Sequence, residues 1–234
     1  MRLWRAGQLL SLLLYNPQNL IGQRLPLLTH AFRTSHVVCL PGTCRVRTQE
    51  DSVEYVHDDD FLVLSAGRPK RSNRSTGVAL MLNRTVFARR NIVYSWAPMD
   101  GRLAGRYLEA RIRAGLFDYT FFVPYFAPKG LIQAAELNEE LVALISKRLC
   151  ALPWRTFPII ATDMNDSFGF FYPNDGFLCR YADENVGKFA LDNQGVTACA
   201  MRRCMQVHKL CSVDTMFVEG QKFTYSGANG QSRI

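Results

Sequence analysis

Between residues 77 and 123 the chain offers little except strand. Gly77-Val78-Ala79-Leu80-Met81-Leu82, Ile92-Val93-Tyr94-Ser95-Trp96, Tyr107 to Ile112 and Tyr119-Thr120-Phe121-Phe122-Val123 succeed one another, separated by Gly, Asp and Arg. Such runs are too short for helices and rich in β-branched and aromatic residues, which predicts neighbouring strands paired antiparallel. Upstream, a buried strand is expected from about Leu9, then a polar break at Tyr15-Asn16-Pro17-Gln18-Asn19. Leucines at helical spacing predict a helix over Ile21 to Ala31, followed by a strand at His36-Val37-Val38-Cys39-Leu40. Pro41-Gly42-Thr43 turns the chain, and Tyr55 to Ser65 supplies a further strand around Phe61-Leu62-Val63-Leu64.

Downstream the period changes. Leu137, Leu141, Ile145 and Leu149 recur every four residues, which predicts a long amphipathic helix over Leu131 to Leu149, stopped by Leu152-Pro153. A strand at Ile159-Ile160, an aromatic and Gly-rich loop from Phe168 to Phe177, a helix from Val196 to Lys209 and a strand pair, Asp214 to Phe217 with Phe223 to Tyr225, complete the reading. With 234 residues and 48% hydrophobic content the chain can bury one substantial core, so a single domain over 1–234 is expected.

The stretch Phe157-Pro158-Ile159-Ile160-Ala161-Thr162-Asp163-Met164-Asn165-Asp166 carries the chemistry. An apolar strand ending in Asp163 and Asn165, two apart and hence on one face, calls for a partner to offset their desolvation. A divalent metal or a phosphate would serve. The formal net charge of +8 favours an acidic partner such as nucleic acid, and Arg68, Lys70, Arg71 and Arg74 crowd one loop between two strands; the alternative for that loop is a solvated turn. Cys39, Cys44, Cys150, Cys179, Cys199, Cys204 and Cys211 contain no CxxC pair and read as buried thiols of a reducing compartment; a zinc site from Cys199, Cys204, His208 and Cys211 is the weaker alternative. The apolar N-terminal run is too short to span a bilayer and no small-x-small cleavage site follows it, so an intracellular location, nuclear or cytoplasmic, is expected.

In their order, Tyr15-Asn16, Leu40-Pro41-Gly42-Thr43, Gly77-Val78-Ala79, Tyr125-Phe126-Ala127-Pro128, Thr162-Asp163-Met164-Asn165 and Asp214-Thr215-Met216-Phe217 resemble the motif series of the endonuclease/exonuclease/phosphatase superfamily. The resemblance covers nearly the whole chain. It is nearest to the endonuclease domains of non-LTR retrotransposons and to craniofacial-development-protein-like sequences. It implies an α+β fold of two packed mixed β-sheets flanked by helices, a four-layer α/β/β/α sandwich, here expected to lack its last strands at the C-terminus.

The resemblance further implies a magnesium-dependent phosphodiesterase acting on nucleic acid, with DNA the expected partner. Asn16 maps to a metal or phosphate contact, Asp163 to orienting and deprotonating the attacking water, Asn165 to a hydrogen bond on the scissile phosphate, and Tyr125 to the leaving oxygen, with Phe126 as the competing register. On charge alone, Arg68, Lys70, Arg71 and Arg74 would grip phosphates without cleavage in a binding module. Read without the resemblance, Asn16 is a helix cap, Asp163 and Asn165 build a turn, Tyr125 is a half-buried aromatic, and Asp166 is a cap or loop residue. Gly42 stands where the superfamily has a metal-ligand Glu, and no Asp-His pair follows near the C-terminus, so an inactive copy is expected. The alternative is a non-catalytic nucleic-acid-binding module of the same fold.

Overall fold

The computed structural model describes residues 10–17, 21–48, 50–56, 58–70, 76–166, 168, 184–186, 195–212, 225–226 and 232–233. The chain divides into two compact units, Met1–Phe126 with Cys150–Asp163, and Ala127–Leu149 with Met164–Ile234. In the first unit β1 (Leu12–Leu14), α1 (Ile21–Ala31), β2 (Val37–Pro41), β3 (Glu54–Val56), β4 (Phe61–Ala66) and β5 (Val78–Asn83) build a five-stranded sheet ordered β1-β2-β5-β4-β3. Only β1 and β2 run parallel there. A four-stranded sheet ordered β6-β7-β8-β9 follows, from β6 (Ile92–Trp96), β7 (Tyr107–Ala114), β8 (Phe117–Pro124) and β9 (Phe157–Ile160), with β9 parallel to β8.

Alternation explains the layering. Val38 and Leu40 of β2, Phe61 and Val63 of β4, and Ala79 and Met81 of β5 pack with Leu25 and Leu28 of α1. Their neighbours Val37, Cys39, Leu64, Leu80 and Leu82 point the other way, into a core shared with Leu108, Ala110, Ile112, Phe121 and Val123 of the second sheet. Central strands β2 and β5 are buried on both faces, which is why they read as unbroken apolar runs. Each such leucine contributes roughly 1.5–3 kcal/mol by leaving water.

Several expectations need correction. The first strand is not a buried element and lies outermost among the described strands of its sheet: Leu12 and Leu14 are 40% and 44% exposed and only Leu13 packs inward. The run of strands from 77 to 123 is not one continuous meander, because β5 pairs with β2 and β4 while β6 opens the other sheet. The link carries Phe87 into the core between the sheets, against Phe117, and Asn91 clamps it by donating to the Arg113 carbonyl and accepting from the Ala88 amide. Strand β9 is half-buried and lies last among the described strands of its sheet, with Phe157 63% exposed. The cysteines are not uniformly buried: Cys39 and Cys204 are, Cys44 and Cys199 are half-buried, Cys150 and Cys211 are exposed, and Cys179 lies outside the described residues.

In the second unit α2 (Ala134–Cys150) buries Leu137, Leu141, Ile145 and Leu149 as the spacing predicts. It starts three residues later than predicted because Gln133 takes a left-handed backbone, φ 62°, which a helix cannot contain. α3 (Val196–His208) begins after Gly195, which has no side chain to cap it. Asp166 supplies the cap instead, accepting from the Ala198 amide at 3.1 Å and pairing with Lys129 at 2.8 Å. A short pair, β10 (Tyr225–Ser226) with β11 (Ser232–Arg233), is antiparallel. The strand expected over Asp214 to Phe217 and most of the loop from Phe168 to Phe177 lie outside the described residues.

Candidate functional site

The site forms where β2 and β9 end. The β1–β2 ladder is prolonged by the Tyr15 amide on the Cys39 carbonyl at 3.0 Å, which sets Asn16 beside the turn after β2. Gly42 makes that turn with φ 77°, and a Cβ there would stand 2.6 Å from Asn16 Oδ1. Asn16 Nδ2 donates to Asp163 Oδ2 at 2.6 Å, joining residues 147 apart in sequence. The amide thus reaches the acid across the sheets.

Asp163 is held from behind. The Ala161 amide continues the β8–β9 ladder onto the Phe122 carbonyl at 2.9 Å, Thr162 Oγ1 donates to the Pro124 carbonyl at 2.9 Å, and Tyr125 and Asp163 form a parallel bridge, with the Phe126 amide on the Asp163 carbonyl at 3.3 Å. Tyr125 is therefore fixed beside Asp163 by backbone. Its ring is half-buried, whereas Phe126 is sealed in the core, so of the two registers only Tyr125 presents a side chain toward solvent. Arg106, itself buried, donates from Nη1 to the Tyr125 carbonyl at 3.2 Å, with its guanidinium carbon 5.6 Å from the ring centre.

Asn165 belongs to the second unit and has φ 51°. Strand alternation ends at Ile160, so the period-two argument that set Asp163 and Asn165 on one face does not extend to them. Arg68 and Lys70 stand on the loop after β4; Arg71 and Arg74 lie outside the described residues.

Among the described residues the donor set does not make a resident magnesium site. Magnesium requires near-octahedral oxygen ligation, usually from one or two carboxylates with water and substrate phosphate. Asp163 is the one carboxylate of the Asn16–Gly42–Asp163 cluster, one of its oxygens already accepts from Asn16, and Asn16 Oδ1 lies against Gly42. Among the described residues no three His, Cys, Asp or Glu side chains gather to hold a metal, zinc included.

Sequence reasoning passed over Arg45, Arg47, Arg102 and Arg106. The signal for the first two was the alternating Arg45-Val46-Arg47 after a Gly turn, which the structure pairs with the loop after β4: the Arg68 amide donates to the Arg45 carbonyl at 2.8 Å and the Arg47 amide to the Arg68 carbonyl at 2.9 Å.

This arrangement of sheets is the endonuclease/exonuclease/phosphatase fold. The chain is similar to an AP endonuclease from Archaeoglobus fulgidus, at 15% identity and TM-score 0.53, covering 85% of this chain and 71% of that one. It is also similar to the catalytic domain of Xenopus laevis APE2, at 16% identity and TM-score 0.50, over 71% of this chain and 62% of that one. A humanized D. rerio TDP2 aligns at 14% identity and TM-score 0.46, over 67% of this chain and 62% of its own length, so this chain spans less than two thirds of that structure. No protein-family model and no curated protein matches the sequence.

Proposed function

We propose that this chain is a single domain of the phosphodiesterase fold that binds nucleic acid, of retroelement origin, and that it does not turn over phosphodiesters. The observation that carries this reading is the fit of Gly42 onto Asn16: a left-handed glycine and an amide bonded to Asp163 occupy the place where the resemblance implies a metal-binding Glu. The basic composition and the arginine-bearing loops beside that place support an anionic polymer as the ligand, DNA by resemblance. Retroelement origin is supported by the ordered motif series alone, and an intracellular location by the nucleic-acid reading; no described helix is long and apolar enough to cross a membrane.

A second reading, a magnesium-dependent phosphodiesterase, is favoured by the backbone bridge that holds Tyr125 beside Asp163 and by the Asn16 amide bonded to the Asp163 carboxylate. In it Asp163 orients and deprotonates water, Tyr125 serves the leaving oxygen, and Asn16 and Asn165 contact the phosphate. Each reading predicts a different plasmid assay. With magnesium present the purified chain leaves supercoiled plasmid intact yet shifts a labelled duplex in a gel, with an affinity that falls linearly in log–log form against salt. Nicking that disappears in Asp163→Ala would establish the enzyme reading instead.

A further inference from the structure

We infer that, at the end of the sheets where Asn16, Gly42 and Asp163 meet, phosphates are engaged by the guanidinium groups of Arg47 and Arg68 in place of a divalent cation, so that nucleic-acid binding is independent of magnesium. This deepens the nucleic-acid reading above and rests on it. Two observations meet here.

The first is that an acidic side chain at position 42 and the Asn16–Asp163 bond exclude one another. Any Cβ at 42 lands 2.6 Å from Asn16 Oδ1, and relieving that contact means rotating the very amide whose Nδ2 reaches Asp163. At φ 77° the backbone itself disfavours a side chain. The cluster is thereby built around an amide–carboxylate pair and not around a cation.

The second is that backbone bonds stitch three loops together beside that pair. The Thr43 amide donates to the Gly77 carbonyl at 2.8 Å, and the Gly77 amide to the Gly105 carbonyl at 2.6 Å. A Cβ on Gly105 would touch Arg68 Cα at 2.9 Å, so the loops are in direct contact. Arg45 and Arg47 follow Gly42 by a few residues and Arg68 lies on the loop bonded to them, with Lys70 exposed on that loop and Arg102 exposed on the third. Arg45 is compensated by the buried Glu54 at 3.6 Å. Arg47 is oriented by its Nη1 on the Met99 carbonyl at 2.9 Å, and Arg68 by its Nε on the Cys44 carbonyl at 3.5 Å. Guanidinium forks held on rigid backbone match phosphate geometry and need no metal to do so.

The test is fluorescence anisotropy of a labelled duplex with the unaltered chain, in chelator and in magnesium at matched ionic strength. The expected isotherms agree within about twofold, and Arg47→Gln with Arg68→Gln together weaken binding about tenfold and flatten the salt slope by about two. Manganous ion, followed by its paramagnetic resonance signal, shows no stoichiometric site. Binding stripped by chelator, or a one-to-one manganese site lost in Asp163→Asn, overturns this inference while leaving the nucleic-acid reading in place. No binding in either buffer overturns the nucleic-acid reading itself. Because the chelator comparison uses no variant, a misfolded double mutant cannot decide the outcome.

Discussion

At the scale of single residues, two positions hold distant segments together. Asn138 is buried on α2, accepts from the Ala127 amide at 2.7 Å and donates to the Ala127 carbonyl at 3.1 Å and to Thr197 Oγ1 at 2.9 Å. Replacing it by Leu strands a buried N–H and a buried carbonyl, so Asn138→Leu should lower stability by about 1–3 kcal/mol in urea unfolding, a loss that a merely space-filling residue would not show. Gly42 is the other. Gly42→Ala should cost about 1–2 kcal/mol from the left-handed backbone alone, and it should also loosen the Asn16–Asp163 pair. An unfolding midpoint unchanged in Gly42→Ala would mean that the turn is free to rearrange. Neither role was visible beforehand: an Asn in a helix looks like a surface residue, and a Gly after Pro looks like any turn.

Among the elements, the β7–β8 hairpin and α3 show how local chemistry sets stability. Gly115, φ 64°, and Leu116 form the two-residue loop that the right-handed twist of the strands requires. Beside that loop Arg111 grips Asp118 with two bonds, at 2.8 and 2.7 Å, and the bond to Arg111 holds the Asp118 carboxyl below the usual carboxylate range. Since the folded pKa lies below the unfolded value of about 3.9, the stabilisation is complete above that value and is lost as pH falls through the folded pKa. Unfolding measured from pH 6 downward should therefore steepen below about pH 4, and Asp118→Asn should remove that part of the acid limb. For α3, Asp166→Ala should cost about 1 kcal/mol by uncapping the helix, seen as a lower denaturation midpoint.

For the whole molecule, packing ranks the strands. β2 and β5 are buried along their whole length with a partner on either side, while β1 and β9 lie outermost among the described strands and carry exposed side chains. Hydrogen exchange should accordingly be slowest in β2 and β5 and faster in β1 and β9. Slower exchange in β1 than in β5 would contradict the sheet order.

Much of this was legible in the sequence because burial and periodicity are local signals. The bounds of α1 and β6, the leucine ladder of α2 and the two-sided apolar runs of β2 and β5 follow from which residues leave water, and the ordered motifs led to the right fold. What residue order could not supply is adjacency across the chain. Whether β5 continues into β6 or leaves for another sheet, which loop lies against Gly42, and which distant residue Asn16 reaches are settled by contacts between segments tens of residues apart or more. Those contacts arise only when the sheets close on their shared core, since the side chains that decide them have no partner until then.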